Sequence, residues 1–187
     1  MSITITIKYQ HSLKMALKTF TTADGSANQA LVTNGSGVLS FAAVGASAGQ
    51  VIQVLGATDS TERTTTSTSF VTASNTLSVT ITPSSASNKI FIIVSTGIET
   101  PGDSYACYFT IYRGATNLGD ATYGFARVNE AQFSMNLGLA MSYLDSPNTT
   151  SAITYQLYFY AQSGAPGSAK INKNGAVGSI TCFEIKG

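Results

Sequence analysis

The side chains best suited to chemistry in this 187-residue chain are its tyrosines. Nine Tyr stand beside no Trp, a bias toward rings with a hydroxyl handle, which suit interfaces and the faces of sugars. Tyr105, Tyr108, Tyr112, Tyr123, Tyr143, Tyr155, Tyr158 and Tyr160 all lie in the second half. Within SAITYQLYFYAQ, strand alternation puts Thr154, Gln156, Tyr158 and Tyr160 on one face and Ile153, Tyr155, Leu157 and Phe159 on the other. The second, more apolar face reads as core and the first as exposed or contacting another subunit. Tyr158 and Tyr160 of that face, together with Tyr112 and Tyr123, are the candidates for a receptor-facing or intersubunit surface. The two readings of the set, packing or a glycan-binding surface, stand side by side.

Acidic pairs are the next candidates. Glu99 and Asp103 sit four apart around Pro101-Gly102, a spacing that could hold a hard cation or supply an acid and a base. In a turn such a pair is ordinarily a solvated loop. Asp59, Glu62 and Arg63 form a local cluster suited to an ion pair at a subunit contact, and Arg113 and Arg127, near strand ends, suit pairing across subunits. The rest of the catalytic inventory is scarce. His11 is the only histidine, and Cys107 and Cys182 are the only cysteines. One chain cannot build a four-cysteine or a two-cysteine, two-histidine zinc site, and a Ser-His-Asp triad would need a histidine in the N-terminal segment. Both cysteines lie in apolar strand-like runs and read as buried free thiols, with a disulfide as the alternative. No glycine-rich phosphate loop or basic aromatic stripe occurs. We therefore expect no cofactor, no metal and no enzymatic activity.

Charge points the same way. Ten Lys and Arg against nine Asp and Glu make 10% of the chain, where ordinary soluble domains carry about 25%. Hydroxyls fill the deficit, with 23 Ser and 25 Thr. A net charge of +1 gives no electrostatic case for nucleic acid. No apolar run approaches the roughly 18 residues of a membrane span, and the opening lacks the apolar core of a signal peptide.

The elements that would position these residues divide the chain. Residues 1–18 carry Lys8, Lys14, Lys18 and His11 with no acid, and the remainder is net negative. Ile3, Ile5, Ile7 and Tyr9 alternate with Thr4, Thr6 and Lys8, the period of a half-buried strand. This segment is either a terminal strand of its own domain or an arm that docks on another subunit. Between 20 and 50 the chain is small and polar. Ala30-Leu31-Val32 and Val38-Leu39-Ser40-Phe41 flank an Asn-Gly turn as a short hairpin, and Val44–Gly49 reads as a joint. Two short strands bury no core, so the hairpin needs other copies or another protein to order it. From Val51 onward, short strands alternate with turn chemistry: 51–58, 64–73, 77–82, 89–96, 105–113, 121–128, 132–144, 152–161, 168–172 and 179–185. Ten such runs and no helix after residue 18 predict an antiparallel β-sandwich or jelly roll. Within them, TERTTTSTSF (61–70) reads as an edge strand.

The stretch TADGSANQALVTNGSGVLSF (22–41) resembles a segment of bacteriophage tail-fibre and related virion proteins. GQVIQV (49–54) and ITPSSASNKI (81–90) are similar to the β-sandwich tip that follows it there. The resemblance covers roughly residues 20–95. It implies a homotrimer in which Leu31, Val32, Val38, Leu39 and Phe41 knit three chains near a threefold axis. It also implies a location on the virion surface, tail or capsid. The expected organisation is an all-β chain: an attachment arm over 1–18 using Ile3, Ile5, Ile7, Lys8, Tyr9, Lys14 and Lys18, a hairpin trimerisation segment and linker over 19–50, and a jelly-roll-like sandwich head over 51–187. The expected partners are further copies of the chain, other virion proteins through the arm, and a host surface glycan or protein. The expected function is attachment to a host, with capsid decoration as the alternative and a polysaccharide-degrading tailspike-like enzyme behind both.

Overall fold

The computed structural model describes residues 29–33, 36, 39–100, 105–129, 133–162 and 168–187. Ile3, Ile5, Ile7, Lys8, Tyr9, Lys14, Lys18 and Val38 lie outside the described residues, and with them the arm and part of the trimerisation segment. The chain divides into two compact units, Met1–Ala46 and Ser47–Gly187.

In the first unit, β1 (Gln29–Thr33) and β2 (Leu39–Ala43) pair antiparallel, with Leu31 opposite Phe41 and Thr33 opposite Leu39. Two β-capable runs pair here, as the sequence predicts. Leu31, Val32 and Phe41 remain exposed, because five residues a side offer too little face to enclose them.

The second unit holds twelve described strands: β3 (Val51–Asp59), β4 (Arg63–Thr65), β5 (Val71–Thr72), β6 (Ser78–Ile81), β7 (Lys89–Glu99), β8 (Ala106–Arg113), β9 (Thr116–Asn117), β10 (Ala126–Asn129), β11 (Asn136–Asp145), β12 (Ile153–Ala161), β13 (Ala169–Ile171) and β14 (Gly178–Ile185). One sheet runs β3-β14-β7-β11, with β13 and β4 continuing beside the end of β7. The other runs β6-β12-β8-β10, with β5 beside β12 and β9 beside β8. Every pairing between these strands is antiparallel, and the eight main strands mostly alternate between sheets along the chain. That is the order of a jelly roll.

Alternation explains the core. On β7, Ile90, Ile92, Val94 and Ile98 are buried while the residues between them are not, apart from Thr96 on the same inward face. They meet Phe109 and Ile111 of β8 and Tyr155, Leu157 and Phe159 of β12, joined by Ile180 and Cys182 of β14. Each such side chain contributes about 1.5–3 kcal/mol on burial. Cys107 and Cys182 are free and buried, on opposite sheets, and burial pushes each thiol up to about 12.

Three expectations need correction. The run 64–73 is not one strand: β4 joins one sheet and β5 the other. Between them Ser67 donates to the Ser69 carbonyl and accepts from its N–H, while the Ser67 N–H bonds Thr65 Oγ1. These side-chain bonds offer the backbone an alternative to the ladder and turn it across the sandwich. Residues 121–128 become strand only from Ala126, because Asp120–Gly124 closes a tight turn. Of the joint expected over 44–49, Ser47–Gly49 belong to a turn of the second unit, since Gln50 N–H bonds Ser47 O at 3.1 Å and Gly49 N–H bonds Lys186 O at 2.7 Å, and the units divide at Ala46/Ser47.

Candidate functional site

The outward face of the β8–β12 pair collects Tyr108, Tyr112, Tyr158 and Tyr160, while Tyr143 lies on β11 in the other sheet. Register sets Tyr160 opposite Tyr108, Tyr158 opposite Thr110 and Gln156 opposite Tyr112, while Tyr155, Leu157 and Phe159 point into the core. The Tyr108 and Tyr160 rings stack at 4.3 Å and 6°, and the diagonal neighbours Tyr112 and Tyr158 at 4.0 Å and 20°. Phe70 stands edge-on to Tyr160 at 4.7 Å and reaches Tyr112 at 6.3 Å. Tyr123 completes the group, 6.1 Å from Tyr108. Such pairs are worth about 0.5–1.5 kcal/mol each beyond simple burial. The structure thus brings Tyr112, Tyr123, Tyr158 and Tyr160 into one cluster.

The loop between β9 and β10 is laid over this face. Asp120 Oδ1 accepts the backbone N–H groups of Tyr123 (2.7 Å) and Thr122 (2.8 Å), which hold its carboxyl below the usual range. Gly124 N–H returns to Asp120 O at 2.9 Å with φ at +64°, and a Cβ at Gly124 would run into the Phe109 carbonyl. Only glycine fits there. Asn117 accepts from Thr110 (2.6 Å) and from the Gly119 N–H (3.0 Å), fastening the start of the loop. The Tyr160 hydroxyl donates to Thr122 O at 2.6 Å, and burial, then the neighbouring Tyr108 and Tyr123, push its pKa up. Arg127 Nε donates to the Tyr108 hydroxyl at 3.2 Å, its guanidinium 5.9 Å from the ring centre.

This arrangement narrows what the cluster can do. The stacked rings cover one another's faces, and the hydroxyls of Tyr108 and Tyr160 are tied within the chain. Tyr123, 56% exposed, is the projecting ring, with Arg127 exposed near it and the Tyr112–Tyr158 pair half-buried beside it. The surface offers aromatic contact, hydroxyls, the Arg127 guanidinium and the Asp120 carboxylate.

No protein-family model matches the chain, and no curated protein does. Similar solved structures exist. They include that of the infectious bursal disease virus Gx strain (TM-score 0.44, 14% identity, covering 83% of this chain and 37% of that one). The crystal structure of the infectious bursal disease virus VP2 subviral particle has a TM-score of 0.39 and 12% identity, over 82% of this chain and 45% of that one. The chain spans less than half the length of each.

The remaining candidates are committed to the fold. Glu99 is the last residue of β7 rather than part of a solvated loop, and it pairs with Lys170 and with Lys173 (2.9 Å); Asp103 lies outside the described residues. Lys170, then Lys173, hold the Glu99 carboxyl below its ordinary value against the opposing push of burial. Asp59 accepts from Ser74 (2.6 Å), the main cause of its strongly lowered pKa, and from the Thr61 N–H; Arg63 pairs with it at 3.4 Å. Arg113 pairs within the chain, with Nη1 2.9 Å from both oxygens of Asp145. Glu184 accepts from Asn88 and from the N–H and hydroxyl of Ser84, at 2.6–2.8 Å; burial raises its pKa, and these bonds outweigh it to leave a net lowering. Among the described residues no three His, Cys, Asp or Glu side chains converge as metal ligands.

Phe70 and the role of Arg127 escaped the sequence reading. Phe70 closes a Ser/Thr run with no period to mark it, and its partners are some 40 to 90 residues away in the chain. Arg127 reaches Tyr108 only because β10 pairs with β8.

Proposed function

We propose that this chain is a structural component of a virus particle, a homotrimeric fibre- or spike-like protein that attaches to a host surface through the tyrosine cluster on β8 and β12. The observation that carries the reading is that cluster: six aromatic rings on one outer sheet face, with Tyr123 raised on a turn fastened by Asp120 and Gly124. A rigid aromatic anchor among hydroxyls suits a neutral glycan or a protein without strong charge. Jelly rolls recur in viral capsid and lectin domains, which is support by fold analogy. The resemblance of residues 22–41 to virion fibre segments supports the trimer, and the acid-free, alternating sequence of residues 1–18 supports their docking on the particle. Binding rather than catalysis is supported by the acids, since Asp59, Glu99, Asp145 and Glu184 are each held by bonds inside the fold.

Capsid decoration is the second reading, favoured by the low charge of the outer sheet faces, which suits cementing between proteins. Cell binding and a bacterial surface-polysaccharide array, read with the full chain and with Tyr123→Ala, separate the two. Attachment predicts binding that weakens at least tenfold in the variant. A chain that binds neither cells nor polysaccharides, yet raises the temperature at which heads release DNA, is a decoration protein.

A further inference from the structure

The outer face of the β11-β7-β14-β3 sheet carries a feature that the attachment reading does not use. Register sets Leu144 beside Phe91, Phe91 beside Phe183, and Phe183 beside Val54, so one apolar row crosses all four strands. Ile93 and Ile52 flank it. Val54 is 53% exposed, Leu144 46%, Ile52 39% and Ile93 38%, and the two phenylalanine rings lie 6.2 Å apart. A sheet with one wet face should show polar residues at these outward positions. Further along the same strands it does, at Ser95, Ser179 and Thr58.

Charge and size indicate what covers the row. On the outward positions of these four strands the charged side chains are Lys89 and Glu99, at opposite ends of β7, and the middle is neutral. A neutral, apolar, flat face has no complement in a phosphate backbone or an acidic partner; its best complement is another face like itself. Four strands about 4.8 Å apart, each about eight residues long at 3.3 Å, make a face of about 500 Å² in projection. A specific interface buries roughly 800 Å² per partner, so this face supplies more than half of one. We propose that a second copy of this chain packs on this face, sheet against sheet, with Phe91 and Phe183 at the centre.

The inference stands apart from the attachment reading, which is tested on cells. Its own test is the solution mass of the full chain by light scattering, for the native sequence and for Val54→Lys and Ile93→Lys. Both positions point outward, so the circular dichroism spectrum should stay that of the native chain. Ala115→Lys, on an exposed turn beyond β8, is the control. The expected result is a mass of an even number of chains, at least twice 19.4 kDa, because face against like face is a twofold contact, with association weakened at least tenfold by either face substitution and no effect of the control. A native chain that is monomeric at about 100 µM overturns the proposal, the face then being covered by another component. So does an oligomer whose dissociation constant neither substitution moves, which would place the contact elsewhere.

Discussion

Asp145 ties the two sheets together, and removing it should be among the most damaging single changes in the head. It ends β11 in one sheet at 5% exposure, while Arg113 and Tyr155 lie directly opposite each other in the other sheet. Arg113 Nη1 reaches both carboxylate oxygens at 2.9 Å, and the fully buried Tyr155 hydroxyl donates to Oδ2 at 2.6 Å. Asp145→Ala removes a charge-assisted bond from Tyr155 worth about 1.5–3 kcal/mol and strands a buried hydroxyl. The Arg113 side chain is 29% exposed, so water partly replaces its partner and its share is about 1 kcal/mol or less. The expected loss is about 3–4 kcal/mol. Tyr155→Phe leaves Asp145 still paired with Arg113 and should lose about 1.5–2 kcal/mol. In the double variant the two losses should fall short of additive by about 1–2 kcal/mol, because both remove the same bond. Urea unfolding of the four proteins, compared at equal m, reads these values directly. An Asp145→Ala loss below about 1 kcal/mol, or an additive cycle, would refute the claim that this carboxylate braces the sandwich.

Two further expectations rest on other parts of the fold. Gly124→Ala places a methyl group against the Phe109 carbonyl at a left-handed φ, so the 120–124 turn should shift and the head should lose about 1–3 kcal/mol. Amide exchange at Thr122 and Tyr123 would rise, and unchanged protection there would count against the turn as Tyr123's support. Acid should destabilise the head through Asp59, Glu99 and Glu184. Their folded pKa values lie below those of the unfolded chain, so their contribution is complete above about pH 5 and falls away as the pH drops through the folded values. A thermal midpoint flat from pH 7 to about pH 3 would contradict that sign.

Much of the head was legible because its strands obey period two. The inward set Tyr155, Leu157 and Phe159 could be read from spacing alone, as could the turns that divide most strands. What escaped was set by partners remote in sequence. Glu99 resembles a loop carboxylate until β13 brings Lys170 beside it, 71 residues on. The apolar row is invisible in any one strand, since each contributes one or two of its side chains. It exists only in the register of four strands. The break at 66–70 was hidden for the opposite reason: threonines favour strands in general, while local hydroxyl bonds decided otherwise here.

The position of β14 carries a consequence for how the head is made. This strand lies between β3 and β7 in the middle of its sheet, yet it comes after every other strand in the chain. As the chain leaves the ribosome, β3 emerges with no neighbour and must wait while the stretch from Ser60 to Val177 is synthesised, a delay on the order of ten seconds. Through that interval the edges of β3 and β7 stay open, and the apolar side chains of both strands are free to engage wrong chains. Nascent heads should therefore be captured by chaperones until residue 185 has emerged, and shortening the chain before Gly178 should yield aggregate instead of a smaller soluble sandwich.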